Sequence, residues 1–366
     1  YVYRLFDWWD FVKVKSEKSK ALRNIALMII MLVLIILTFK FLFRNQDLSE
    51  IKNIIKSVNK WYLVAAISAI TLYVFLGGYA IKVPVNSMGY KMPYRRCFKY
   101  SLTEIYFSGI TPSNTGGQPM VAIAMKSDKY KFADIAMVLM AVTALYKIGL
   151  LFMGGTFLMC SFSYVFSIIG YVRFLLYLGV FINIVFVGML LLLMFSNNLF
   201  WVIEKVVLVI LLKLRIIKNA DVFMAKVVEQ KTKYGQCADF FKGNPAVVLK
   251  MFAVLLLQRV CLLIITYFVY KSFGLRGTSL FQILAIQIVM SLSVEMMPLP
   301  GAVGVSESVF ILLYDAVFGK LLVYPALLLV RGINFYLPFV VSTIYILCRF
   351  LKDLLFNRGD NDVGIL

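Results

Sequence analysis

"TPSNTGGQPM", residues 111–120, interrupts a chain that is otherwise Leu, Ile, Val and Phe for most of its length. Pro112 and Pro119 bracket Ser113, Asn114, Thr115, Gly116, Gly117 and Gln118. A helix cannot run through this stretch, and several backbone N–H groups lose their intrahelical partners there. At membrane depth such backbone must face protein or water. Gly116 and Gly117 permit close backbone approach, and the helix that follows presents its positive N-terminus; together these make an anion site. An ordinary interfacial turn is the alternative that this stretch alone leaves open.

Outward from the break, 62% of the residues are hydrophobic and 15% charged, with a mean hydropathy of +0.88. Several nearly charge-free runs reach the roughly twenty residues needed to cross about 30 Å of hydrocarbon. The expected fold class is therefore an all-α polytopic membrane protein. A formal charge of +20 fits cytoplasmic loops and anionic lipid, and no nucleic-acid partner is expected. Histidine is absent, which excludes Ser-His-Asp and Cys-His catalysis, HExxH zinc sites and imidazole relays. The five cysteines form no CxxC pair, so no metal site and no disulfide framework is expected. The chain opens on Tyr1 and is read as trimmed, with its first strong apolar span kept as an anchor.

Full crossings are expected near residues 24–43, 61–81, 133–159, 174–195, 246–271 and 321–349. Residues 1–23, with Trp8, Trp9 and Phe11 among basic residues, read as an amphipathic cytoplasmic segment. Residues 24–350 read as one transmembrane domain and residues 351–366 as a cytoplasmic tail. Basic loops at 82–100 and 199–250 belong on the cytoplasmic side, with Lys205, Lys213, Arg215 and Lys218 on an interfacial amphipathic stretch within 199–245. Both termini then lie inside a bacterial-type cytoplasmic membrane.

Two segments fit no simple span. Residues 97–126 break at 111–119, and residues 280–319 break at "MPLPGAVGVSE", where 298–304 repeats the Pro/Gly chemistry and a helix restarts near Gly304. Paired interrupted segments entering from opposite faces are the trace of an inverted repeat around a midplane site. Two re-entrant hairpins are expected, or up to eight spans if the hairpins cross. No GxxxxGK[ST] motif occurs, so neither break implies a nucleotide, and no cofactor is expected.

Ionisable residues within spans are costly and point to function. Here they are Glu104, Lys147, Arg259, Glu295, Glu307 and Arg331. Ser101, Glu104 and Ser108 share one helical stripe; Gln287, Ser291 and Glu295 share another; Arg331, Asn334 and Pro338 a third. Buried ion pairs that only fix packing are the bland alternative. Arg259 and Arg331 have the donors to bind a phosphate. Glu104, Lys147 and Glu295 are further buried charge partners, the two glutamates for the arginines. No nucleophile accompanies the carboxylates, so no catalytic residue is assigned and no enzyme activity is expected.

"TPSNTGGQP", then "PLPGAVGVSES", then "RGINFYLP" in the last span resemble the lysylphosphatidylglycerol synthase transmembrane family, the flippase-like module of the multiple peptide resistance factor. The resemblance runs from about residue 20 to 350. It implies a protein that moves phosphate-bearing lipids, aminoacylated phosphatidylglycerol or a polyprenyl-phosphate lipid, across the bilayer. Its partners would be those lipids, with a second copy of the chain or a partner synthase as further candidates. Carried onto this chain, the headgroup site is Pro112, Gly116, Gly117 and Gln118, then Pro300, Gly301, Gly304 and Glu307, then Arg331 and Pro338. Reading the residues adds Ser113, Asn114, Thr115, Ser306 and Arg259. GGQP departs from relatives with a charged residue after the glycines, which leaves the headgroup open. Full-length members carry their synthase as a soluble C-terminal domain, and the residues after Phe356 are expected not to form one. The membrane part of a lipid-modifying enzyme, or a non-transporting subunit, is the alternative.

Overall fold

The computed structural model describes residues 33, 36–44, 46–195, 239–295 and 297–356, and every regular element among them is helical. The expected amphipathic segment 1–23, most of the first span, residues 199–238 with Lys205, Lys213, Arg215, Lys218 and Cys237, residue 296 and the tail from 357 lie outside the described residues.

A short helix α1, Leu48–Ser57, starts where the Asp47 carboxylate accepts the Ser49 and Glu50 amides. Asn59 likewise caps α2, Lys60–Ser87. Then follow α3, Tyr94–Ile110, and α4, Gly117–Ser127, on either side of the first break. Next come α5, Phe132–Cys160; a two-turn α6, Phe162–Ile168; and α7, Val172–Phe195. Pro245 opens α8, Pro245–Ser272, at a position where its missing N–H costs nothing. A Ser279–Gln282 capping box starts α9, Leu280–Val294. After the second break, α10, Val305–Arg331, is itself interrupted at Gly319, whose φ of 73° no helix accommodates. A π turn, Gly332–Tyr336, joins it to α11, Leu337–Phe356.

Among the described residues, five helical stretches are long and apolar enough to cross a membrane: α2, α5, Val172–Met194 of α7, α8 and the run Val305–Arg349. The span expected at 321–349 thus begins just after the Gly319 interruption. The crossings expected at 61–81, 133–159, 174–195 and 246–271 overlap α2, α5, α7 and α8, with α2 running six residues further. By contrast, α3, α4 and α9 have 17, 11 and 15 residues. At about 1.5 Å per residue they fall short of about 30 Å.

The order long helix, short helix, break, short helix, long helix occurs twice. The pairing of the leading long helices gives its sense. The amide of Asn59, at the start of α2, donates to the carbonyl of Ser272 at the end of α8. Midway along, Gln258 Nε2 donates to the Tyr73 carbonyl. The two 28-residue helices are therefore antiparallel. Gln258 stands 185 positions after Tyr73, the spacing that also separates Lys60 from Pro245 at the two starts. Equivalent positions meeting in this way mark a local two-fold between the halves.

Two apolar cores form. One joins α2 to α5 through residues such as Ile81, Tyr100, Met125 and Met137. The other joins α8 to α10, with Ile265, Ile286, Phe310 and Leu327 among its members. Each takes in residues of both halves: Met251 and Leu255 of α8 belong to the first, and Ala66 and Ile70 of α2 with Leu150 and Met153 of α5 to the second. Small residues let backbones approach, as lipid-embedded helices require: a Cβ on Gly78 would meet the Cys97 carbonyl oxygen at 2.0 Å, and one on Gly179 the Leu292 carbonyl oxygen at 1.9 Å. Phe174, Phe181, Ile184 and Leu192 leave an apolar face of α7 uncovered, as befits a helix that borders lipid. The chain is a multi-pass membrane protein.

Candidate functional site

The two breaks touch. Pro112 and Pro300 oppose each other in an isolated antiparallel bridge, and Ser113 Oγ donates to the Met297 carbonyl at 3.4 Å. Both turns need backbone that side chains resist: Ser113, Asn114 and Ala302 join Gly301 and Gly304 in having positive φ. Within the first break, Thr111 Oγ1 accepts the Gly116 amide and donates to the Phe107 carbonyl. Gly116 and Gly117 serve the packing of the two arms. A Cβ on Gly116 would lie 2.5 Å from Thr111 Cγ2, and one on Gly117 2.1 Å from Ser108 Oγ.

Beside the paired breaks lies a cavity of about 620 Å³, bordered by both hairpins together with α2, α5, α8 and the last span. That volume suits a small-molecule site. All three polar stripes open onto it: Ser101, Glu104 and Ser108; Gln287, Ser291 and Glu295; Arg331, Asn334 and Pro338. Of the other expected residues, Ser113, Asn114, Thr115, Gln118, Lys147, Arg259, Gly301 and Ser306 also line it. Pro112, Gly116, Gly117, Pro300, Gly304 and Glu307 are not among its lining residues and build the turns behind it. Phe186, Leu190, Leu255 and Leu262 give the cavity an apolar flank.

The charges fall into three separate groups. Arg331 Nε donates to Glu307 Oε1 at 2.7 Å, while Arg331 Nη2 reaches the Gly301 carbonyl at 3.4 Å. Glu307 Oε2 accepts from the Gly304 amide at 2.7 Å and from Ser306 Oγ at 2.9 Å. Glu307 is thus a helix-capping carboxylate, 1% exposed, and Arg331 is tied to the second break through it. In the second group, Glu295 Oε1 is shared by Lys147 Nζ at 3.2 Å and Arg259 Nη2 at 3.7 Å. Two cations and one anion leave this cluster with an excess positive charge. Arg259 is 2% exposed, lies 3.8 Å from the centroid of the Tyr146 ring, and has no hydrogen-bond partner for Nε or Nη2. The third group is Glu104, whose Oε1 accepts from Gln118 Nε2 at 2.8 Å.

Buried polar atoms without partners gather here. Ser101 Oγ, Gln118 Oε1, Arg259 Nε and Nη2, Glu295 Oε2 and Asn334 Oδ1 are all unsatisfied, and all five residues line the cavity. Buried polar groups are normally paired, so their concentration at one cavity points to a polar occupant. No group of acidic, cysteine or histidine side chains suited to a metal occurs among the described residues.

Sequence reasoning missed Tyr73, Tyr146, Gln258 and Phe335, all on the cavity wall. Tyr146 faces Arg259, and Phe335 lies 4.4 Å under the Arg331 guanidinium. The available signal was a hydroxylated ring standing next to Lys147 in an otherwise aliphatic span, since a buried Tyr needs a polar partner.

A comparison with curated proteins gives no match. The chain does match the family described as the lysylphosphatidylglycerol synthase TM region over residues 25–342, which takes in both breaks, the cavity and every charge around it, and it belongs to that family.

Proposed function

We propose that this protein is a lipid translocator of the cytoplasmic membrane, in which the two broken hairpins are re-entrant, enter from opposite faces and meet over a headgroup site near the midplane. Antiparallel α2 and α8, the twice-repeated element order and the bridge between the breaks support this arrangement. Both termini are placed on the cytoplasmic side by the basic loops. The single observation that carries the reading is the Arg259 guanidinium, stacked on Tyr146 and with Nε and Nη2 lacking hydrogen-bond partners, on the wall of a cavity lined by polar stripes.

Arg259 is the better phosphate ligand of the two expected arginines, because Arg331 is occupied by Glu307 and Gly301. A phosphate entering the cavity would take over Arg259 from Glu295, which then keeps Lys147 as its partner. Gln258, Ser101, Asn114 and Asn334 supply neutral hydrogen-bonding groups for the rest of the headgroup. The acyl chains would remain against the apolar flank toward α7, in lipid. The substrate is a phosphate-bearing lipid, such as an aminoacylated phosphatidylglycerol or a polyprenyl-phosphate-linked lipid.

Purified protein in liposomes tests this. Fluorescent anionic phospholipid or polyprenyl phosphate in the inner leaflet should become accessible to an external quencher faster than in protein-free vesicles, and Arg259→Ala should slow it. Equal accessibility with and without protein overturns the reading. A new product in the lipid extract would favour an enzyme instead.

A further inference from the structure

Glu104 stands on α3 just before the first break and Gln118 on α4 just after it. Their hydrogen bond, Gln118 Nε2 to Glu104 Oε1 at 2.8 Å, clasps the two arms across the interruption. Among the described residues Glu104 forms no ion pair. The other titratable and charged groups facing the cavity are Tyr73 on α2, Tyr146 and Lys147 on α5, Arg259 on α8, Glu295 on α9 and Arg331 on α10. Lys147 and Arg259 are held by Glu295, and Arg331 by Glu307. An ionised Glu104 would therefore sit at membrane depth with no cation in contact, which is costly.

A second observation concerns the other side of the same contact. Gln118 Oε1 is buried and has no donor. With the amide nitrogen committed to Glu104 Oε1, the amide oxygen needs a hydrogen that only a hydroxyl or N–H can bring. A proton on the Glu104 carboxyl would neutralise the acid and give it an O–H, the kind of donor that the neighbouring Gln118 Oε1 lacks.

We infer that Glu104 is a proton-binding site, occupied when the breaks are closed, and that lipid movement is coupled to proton movement through it. The proton joins Oε2 from water on one side and returns to water on the other, with no other bond made or broken. Coupling follows from placement. The clasp joins the two arms of the break that Pro112 and Ser113 fasten to Pro300 and Met297. Loss of the proton leaves a charge with one donor, which is relieved when the arms part and water reaches it. A ligand or gradient that alters protonation thereby biases the closed state.

This rests on the translocator reading, so two readouts are needed. In liposomes with an imposed pH gradient, the wild type should accumulate labelled anionic lipid in one leaflet, up to about tenfold per pH unit for one proton per headgroup. Glu104→Gln, an isosteric mimic of the neutral acid, should still equilibrate lipid but not accumulate it. Accumulation by Glu104→Gln, or equilibration by wild type without accumulation, overturns the proposal. If neither protein moves lipid, the translocator reading fails, and infrared spectroscopy decides the proton site by itself. A protonated-carboxyl band at neutral pH, lost in Glu104→Gln and shifted in Gln118→Leu, is the expected result. A spectrum unchanged by Glu104→Gln, or a band abolished by sodium, overturns it.

Discussion

Arg259 and Arg331 are the same residue type, buried alike and bordering one cavity, yet their partners give them different work. Arg331 completes a capped helix start, so Glu307→Ala should strand a buried guanidinium and destabilise the protein by about 3–5 kcal/mol. Replacing both residues, as Glu307→Leu with Arg331→Met, should recover much of that loss in thermal unfolding in detergent. Arg259 is different, because Lys147 remains to neutralise Glu295 when it is removed. Arg259→Ala should unfold near the wild-type temperature but bind anionic lipid about ten- to hundredfold more weakly, the worth of one or two charge-assisted hydrogen bonds. A lipid titration followed by Tyr and Trp fluorescence measures it.

At the scale of elements, the hairpins depend on contacts that close their ends and their turns. Asp128, at the end of α4, accepts from Lys99 Nζ at 2.8 Å and from the Tyr100 hydroxyl at 2.6 Å, and lies 3.4 Å from Arg96 Nε. Burial pushes its carboxyl up, but those hydrogen bonds and the charges of Lys99 and Arg96 outweigh it and hold it below the ordinary aspartate value. A depressed carboxylate stabilises above its unfolded value and loses that contribution as pH falls through its folded value. Asp128→Asn should therefore cost about 1–3 kcal/mol at neutral pH, and the difference from wild type should shrink below about pH 4 in pH-dependent thermal melts. At the turn, Gly117→Ala must displace Ser108 and should reduce transport, whereas Gly155→Ala, with nothing near its Cβ, should be silent in the same assay.

How much of this was legible in the sequence depended on period and local chemistry. The breaks, the long spans and the three polar stripes are local or periodic, and they were readable before any partner was known. Pairings were not. Nothing in the order of residues says that Glu307 takes Arg331, or that Glu104 takes an amide instead of an arginine. The Gly116-Gly117 pair suggested ligand approach, while its neighbours Thr111 and Ser108 assign it to packing. The interruption at Gly319 falls where the sequence reading divides residues 280–319 from the span at 321–349, although the glycine itself was not singled out as its cause.

For the whole molecule, two antiparallel halves share both apolar cores and meet along α2 and α8 and at the bridge between their breaks. Repeat-built transporters alternate access largely by moving one repeat or bundle against the other around a fixed site. On the proposed translocator reading the bridge is the gate, and the cavity beside it should open when the bridge parts. Directly opposed residues in an antiparallel pair lie within the distance a disulfide spans. The decisive measurement is lipid scrambling by a Pro112→Cys/Pro300→Cys protein, with the native cysteines replaced, before and after oxidation. Translocation should stop in the oxidised protein and return on reduction; equal rates in both states would contradict the account.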